Sequence, residues 1–100
     1  MKIHADPITV NCKKVLAGLD LIGAKYELVH VDYFKAEQKE AAYLAINPNS
    51  SLPTMVDGDF VLWESNAILQ YAADKTGNDA AYPKDLKTRA DINRWLLWES

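Results

Sequence analysis

Thr9, Asn11 and Cys12 fall within four residues, where a short proline-broken stretch gives way to apolar residues at helical spacing. A hydroxyl, an amide and a thiol at that point stand beside the positive end of a helix dipole, which favours an anion, and a thiolate could be held there. The spacing from Thr9 to Cys12 is that of the two sulfurs in a Cys-x-x-Cys redox motif, with a hydroxyl in place of the first sulfur. Dithiol exchange is thereby excluded. Without a ligand, the same residues read as a helix cap, a surface amide and a small buried hydrophobe.

Two later stretches also carry chemistry. Ser51-Leu52-Pro53-Thr54 places a proline at the start of a strand. Xaa-Pro bonds alone have an appreciable cis population, and a cis bond here would turn the Leu52 N–H and C=O outward, able to pair with a bound peptide backbone. An ordinary trans proline at a strand start fits the sequence equally well. Glu64-Ser65 stands at the mouth of a helix, where free N–H groups suit a carboxylate and a nearby acid suits an ammonium group. An amino-acid head group has both. A plain serine cap with an acidic dipole partner explains the pair as well.

The elements that must position these residues follow from periodicity. Met1 to Ala5 is a short strand halted at Asp6-Pro7. Val15, Leu16, Leu19 and Ile22 predict a helix over Val10 to Ile22, with Gly23 at its C-terminal cap. Tyr26 to Val31 alternates as a second strand, and strand, helix, strand in this order is a βαβ unit with parallel strands. Lys35 to Ile46 predicts a short, partly irregular helix. Leu52 to Val56 and Phe60 to Trp63 flank Asp57-Gly58-Asp59 as a hairpin, and a helix runs from Glu64-Ser65-Asn66 to Thr76-Gly77. Gly77 to Lys87 reads as a linker, after which Thr88 can cap a helix bearing Ile92, Trp95, Leu96 and Trp98. Two tryptophans on that helix exceed what a domain of some 76 residues would bury, so the expectation is the front part of a longer polypeptide.

Composition narrows the functional classes. The 49% hydrophobic and 25% charged content is that of a folded chain, which excludes disorder and low complexity. Eleven Lys+Arg against fourteen Asp+Glu give a formal net charge of −3, with no basic run, so no nucleic-acid partner is expected. No apolar stretch approaches a membrane span and the first residues lack the apolar core of a signal peptide, so a cytoplasmic protein without membrane association is expected. A single cysteine, Cys12, excludes an internal disulfide and a multi-cysteine zinc site. His4 and His30 have no third ligand nearby, so no metal site is expected.

The order of these features resembles the amino-terminal, thioredoxin-like domain of the cytosolic glutathione S-transferases. The resemblance rests on Asn47-Pro48 followed by Leu52-Pro53-Thr54, on Asp57-Gly58 and Trp63-Glu64-Ser65-Asn66-Ala67-Ile68, and on Asn93-Arg94-Trp95-Leu96, which is similar to the first helix of that family's all-helical second domain. It implies an α/β fold, βαβαββα with a mixed four-stranded sheet, over residues 1–76. A linker at 77–87 and the start of an all-helical domain at 88–100 would follow.

The resemblance further implies a glutathione transferase of bacterial type, nearest the Ser/Thr-type or nu-like classes, using glutathione as co-substrate and no fixed cofactor. Thr9 and Asn11 would hold the thiolate. Leu52, before Pro53, would pair with the cysteinyl backbone, Glu64 and Ser65 would take the γ-glutamyl end, and Gln38, Lys39 and Ser51 would lie toward the glycyl end. Threonine is less usual at the activating position than serine or tyrosine, and Ser51 stands where several classes carry glutamine. An electrophilic small-molecule substrate and a homodimer complete the implied picture. Two other readings are a non-catalytic interaction module of the same fold and a glutathione-dependent disulfide reductase.

Overall fold

The computed structural model describes residues 1–100. Strand β1, Lys2–Ala5, ends at Asp6-Pro7, and helix α1, Val10–Ile22, begins immediately after Thr9. Thr9 is extended, and its hydroxyl accepts the Cys12 N–H at 3.3 Å, satisfying one of the helix's orphan donors. Gly23 closes the helix at φ 75°, a conformation open to glycine at no steric cost. Strand β2, Glu27–His30, lies parallel to β1 in the register Lys2↔Glu27, as the βαβ reading requires.

The predicted irregular helix is a single 3-10 turn, Glu37–Lys39, followed by the one-turn helix α2, Ala41–Leu44. The break has a local cause: Ala36 is left-handed at φ 56° and Glu40 is extended between the two pieces. Strands β3, Thr54–Asp57, and β4, Phe60–Trp63, form the expected hairpin, with Gly58 at φ 63° opening its two-residue loop. The sheet order is β2-β1-β3-β4, with β3 antiparallel to its neighbours. The carboxyl ends of β1, β2 and β4 and the amino end of β3 therefore share one edge, where Thr9, Tyr33, Glu64 and Leu52 all emerge.

Helix α3, Ser65–Thr76, packs beside α1 on one face of the sheet. Between them and the sheet lie Ile3, Ala5, Cys12, Val15, Leu19, Met55, Ile68 and Ala72, all without solvent contact. Each of the larger aliphatic side chains contributes about 1.5–3 kcal/mol by leaving water. Gly18 allows the two helices to close up, since a Cβ there would stand 2.5 Å from Leu69 Cδ2.

Residues 78–85 are less open than a plain linker, because the Tyr82 ring is buried. Its hydroxyl donates to Asn93 Oδ1 at 2.6 Å, and the Arg89 guanidinium lies 3.7 Å from its ring centroid. Helix α4, Leu86–Glu99, begins two residues before the predicted start. Its cap is Asp85, whose carboxylate accepts the Thr88 N–H at 3.0 Å and the Thr88 hydroxyl at 2.8 Å. Thr88 is thus the capped residue, because an aspartate stands three positions ahead of it. No residue of α4 is buried, and Trp98 is 78% exposed. No helix is long and apolar enough to cross a membrane.

Candidate functional site

A cavity of about 240 Å³ opens at the shared sheet edge, lined by Thr9, Val10, Asn11, Tyr33, Gln38, Ser50, Ser51 and Leu52. It gathers five of the nine predicted site residues from three separate segments of chain. Lys39, Pro53, Glu64 and Ser65 are not in its lining.

The first wall is the start of α1. The Cys12 N–H is taken by Thr9 Oγ1 and the Lys13 N–H by the Thr9 carbonyl at 3.0 Å, whereas the Val10 and Asn11 N–H groups have no partner in the chain. Two unpaired donors, the Asn11 amide and the helix dipole thus converge where an anion would be stabilised. The Thr9 hydroxyl donates to the Asp6 carbonyl at 3.3 Å. That bond is long, so rotating the proton toward a ligand costs little. Cys12 Sγ is out of solvent contact and burial pushes its thiol pKa up, which makes it an inert core residue.

The opposite wall carries Tyr33 and Gln38. Gln38 is only 7% exposed, and its Oε1 is buried without a hydrogen-bond partner, an uncommon condition that a ligand donor would relieve. Lys39 beside it is exposed and makes no ion pair.

The third wall is the loop before β3. The Leu52–Pro53 bond is cis and the Pro53 ring is buried. The Leu52 N–H and C=O make no hydrogen bond inside the chain. Ser51 is fixed by its surroundings: its carbonyl accepts from the Tyr43 hydroxyl and from Asn47 Nδ2 at 2.9 Å, and its hydroxyl accepts from Asn47 Nδ2 at 3.1 Å. Asn47 Nδ2 also donates to Thr54 Oγ1 at 3.0 Å. Tyr43, Asn47 and Thr54 were not singled out as site residues in the sequence. Tyr43 and Asn47 stand four apart on one helical turn, the only signal that could have paired them.

Glu64 and Ser65 come from the neighbouring strand end. Thr54 pairs with Trp63, so Pro53 and Glu64 are the next residues on the two chains. Ser65 is not the cap of α3 that the plain reading made it. It is the first helical residue, its side chain is buried, and its hydroxyl makes no bond in the chain, while Glu64 occupies the cap position without a capping bond. The Ser65, Asn66 and Ala67 N–H groups are left free. Glu64 sits at φ 78°, ψ 110°, a sparsely populated conformation for a residue with a Cβ that costs about 1–3 kcal/mol, and its carboxylate projects into solvent unpaired.

Asp6 ties the walls together and was read only as a strand terminator. It is 6% exposed; Oδ1 accepts the Ile8 N–H at 3.1 Å and Oδ2 the Tyr33 N–H at 2.9 Å. These bonds hold its carboxyl below the ordinary aspartate range, the Tyr33 N–H most of all, with the His30 imidazole 3.6 Å away adding to the effect. On the far sheet face, burial lowers the pKa of His4. No group of three His, Cys, Asp or Glu stands in a metal-ligating arrangement.

A mixed four-stranded sheet with two helices on one face, a helix start with free N–H groups and a cis-proline loop at one edge defines the thioredoxin-like class of fold. The glutathione S-transferase N-terminal domain family matches residues 3–74, and the chain belongs to that family. Among curated relatives, a probable glutathione S-transferase GSTF2 of Oryza sativa subsp. japonica is 38% identical over 100 residues, covering 100% of this chain and 46% of that protein. Glutathione S-transferase D6 of Drosophila melanogaster is 35% identical over 90 residues, covering 89% of this chain and 42% of that protein. Among solved structures, human glutathione transferase theta-2, in complex with glutathione and an unknown ligand, superposes with a TM-score of 0.91 at 37% identity, covering 97% of this chain and 40% of that one. The chain spans less than half the length of these relatives.

Proposed function

We propose that the chain supplies the glutathione-binding half of a glutathione transferase. The observation that carries this reading is the convergence in one cavity of the free Val10 and Asn11 N–H groups, the Thr9 hydroxyl, Gln38 and the unpaired Leu52 backbone. The glutathione complex of the theta-2 relative supports it.

In this reading the Leu52 N–H and C=O pair with the cysteinyl backbone of glutathione, as an added strand would. The γ-glutamyl carboxylate meets the Ser65 hydroxyl and the free N–H groups of α3, and its ammonium group meets Glu64. Gln38, Lys39 and Ser51 lie toward the glycyl carboxylate. The sulfur then rests at the start of α1. A free thiol of pKa about 8.5 is only a few per cent ionised at neutral pH, and lowering it by two units takes about 2.7 kcal/mol of preferential anion stabilisation. The thiol proton leaves to solvent, the sulfur lone pair forms a bond to the electrophilic carbon, and the leaving group departs with its bonding electrons. Asn11 and the helix-start N–H groups supply fixed donors, and Thr9 joins them by turning its proton from the Asp6 carbonyl.

Glutathione is a co-substrate here and no resident cofactor is invoked. The subclass proposed is a bacterial-type member nearest the Ser/Thr-type or nu-like classes, on the strength of Thr9 and Asn11. A cytoplasmic homodimer with an electrophilic small molecule as second substrate completes the proposal, with residues 1–76 as the glutathione domain, 77–87 as linker and the α4 region opening a helical domain. Retention of the chain on immobilised glutathione, with elution by the free peptide, tests the reading. Passage through the matrix unretained overturns it.

A further inference from the structure

We infer that Asp6 is a positioning residue for the candidate site, its buried carboxylate setting the distance between the Thr9 wall and the Tyr33–Gln38 wall. The inference rests on the glutathione reading above and deepens it.

The last rung of the β1–β2 ladder is the Val31 N–H to the Ala5 carbonyl at 3.0 Å. Beyond it the two chains diverge around the cavity, and the bond from the Tyr33 N–H to Asp6 Oδ2, at 2.9 Å, is the one hydrogen bond joining residues 6–11 to residues 32–52. The same aspartate organises its own loop. Oδ1 accepts the Ile8 N–H two residues on, and the Asp6 carbonyl receives both the Thr9 N–H at 3.1 Å and the Thr9 hydroxyl at 3.3 Å. The loop that carries Thr9 from β1 to α1 is thus folded around Asp6, while the Cys12 and Lys13 N–H groups tie Thr9 to the helix. On the other side, Tyr33 opens the turn closed by the Ala36 N–H to its carbonyl at 3.0 Å, which delivers Gln38 to the opposite wall. The Gln38 carbonyl accepts from Ser50 Oγ at 2.9 Å, so the second and third walls are joined independently of Asp6.

Only an ionised carboxylate answers both N–H groups at once. An asparagine in its place offers a single acceptor and turns an NH₂ toward the other donor, so one wall is released. The side chain does not line the cavity, so its action is through Thr9 and Tyr33.

The test compares three versions of the full 100-residue chain by calorimetric titration with glutathione and by ultraviolet titration of the bound thiol. They are the wild type, Asp6→Asn and Leu69→Ala; Leu69 packs on the core by Gly18, away from the cavity. Asp6→Asn is expected to weaken glutathione at least tenfold and to raise the pKa of its bound thiol. Leu69→Ala, destabilised in its packing, should stay within twofold of wild type on both counts. Asp6→Asn binding within twofold of wild type overturns the inference alone. A wild-type chain that binds no glutathione overturns the functional reading and this inference with it. Should Asp6→Asn not fold, hydrogen exchange of the wild type decides. Saturating glutathione is expected to slow exchange at Tyr33 and Ile8 together with Val10 and Asn11, whereas protection confined to Val10 and Asn11 overturns the coupling.

Discussion

Tyr43 and Thr54 bring their hydroxyl oxygens to 2.6 Å of each other in the interior, linking α2 to the first residue of β3. Asn47 Nδ2 completes the arrangement, so the loop carrying Leu52 is held by donors from the segment that also carries Gln38. Tyr43→Phe is expected to cost about 1–3 kcal/mol, which in a domain of this size lowers the melting temperature by about 4–8 °C per kcal/mol. Asn47→Ala should cost more, since it removes the Nδ2 donor to Ser51 and Thr54 and also the Oδ1 acceptor of the Asn49 N–H. Thermal melting checks both, and a Tyr43→Phe melting point equal to wild type would show the network to be energetically idle.

Thr9 serves both as the α1 cap and as the proposed thiolate donor. Thr9→Ala should therefore lose about 1 kcal/mol of stability and also raise the pKa of bound glutathione, with turnover of an aryl halide down about ten- to a hundredfold. Thr9→Ser keeps both roles and should stay near wild type. Cys12→Ser should leave the rate within a few-fold, because the buried thiol takes no part. Rates and stopped-flow thiol titration distinguish these outcomes, and a rate lost with Cys12 would withdraw the assignment.

The Ser65 hydroxyl makes no bond within the chain, so Ser65→Ala should leave the melting temperature almost unchanged. A hydrogen bond to a charged ligand group is worth about 1.5–3 kcal/mol, and its loss should weaken glutathione about ten- to a hundredfold. Calorimetry beside melting reads the two separately. An unchanged affinity would remove Ser65 from the site.

Acid should release the Asp6 tie. The folded carboxyl titrates below its unfolded counterpart, so its contribution to stability is fully present above the unfolded value and is lost as the pH falls through the folded one. Asp57, held down by Lys75 first and by the Tyr71 hydroxyl, acts in the same direction. Melting temperature should decline steadily below about pH 4, the ordinary aspartate range. In Asp6→Asn the decline should be shallower, and a parallel decline would assign the acid sensitivity elsewhere.

The order of strands and helices was legible in the sequence because alternation and 3.6-residue spacing change cleanly at Gly23, Gly58 and Gly77. Thr9, Asn11, Gln38, Ser51 and Leu52 were grouped by the resemblance to the glutathione S-transferases, and the structure brings their segments to one sheet edge. The ties between those segments were not legible. Asp6 and Tyr33 are 27 residues apart and Tyr43 and Thr54 are 11 apart, and periodicity says which face a residue takes without saying which polar groups meet across it. Ser65 and Thr88 were both read one role too early. A serine or threonine near a helix start resembles a cap until the backbone shows that Glu64 and Asp85 hold that position.

The α4 helix is attached without burying any of its residues. Half-buried Ile92 and Leu96 face Ile22 and Leu69 across a groove, and the specific links are polar: Gln70 to Asn93, Asn66 to the Leu96 carbonyl, Lys14 to Glu99 and Arg89 to Asp74. The two exposed ion pairs among them are worth about 0–1 kcal/mol each, and the two hydrogen bonds about 0.5–1.5 kcal/mol each. The chain shortened to residues 1–85 should therefore still melt in one cooperative step. Loss of that step would show that α4 belongs to the first core and would move the proposed domain boundary.

Glu64 stands where backbone comfort and side-chain purpose diverge. A glycine there would adopt φ 78° without penalty, so any search for hardier versions of this chain, by directed evolution or by sequence optimisation, would be drawn to position 64. The carboxylate it would discard is the one proposed to meet the ammonium group of glutathione beside the free N–H groups of α3. Thermal tolerance alone is thus a misleading selection for this domain, and screens of its variants need a ligand in the assay from the first round.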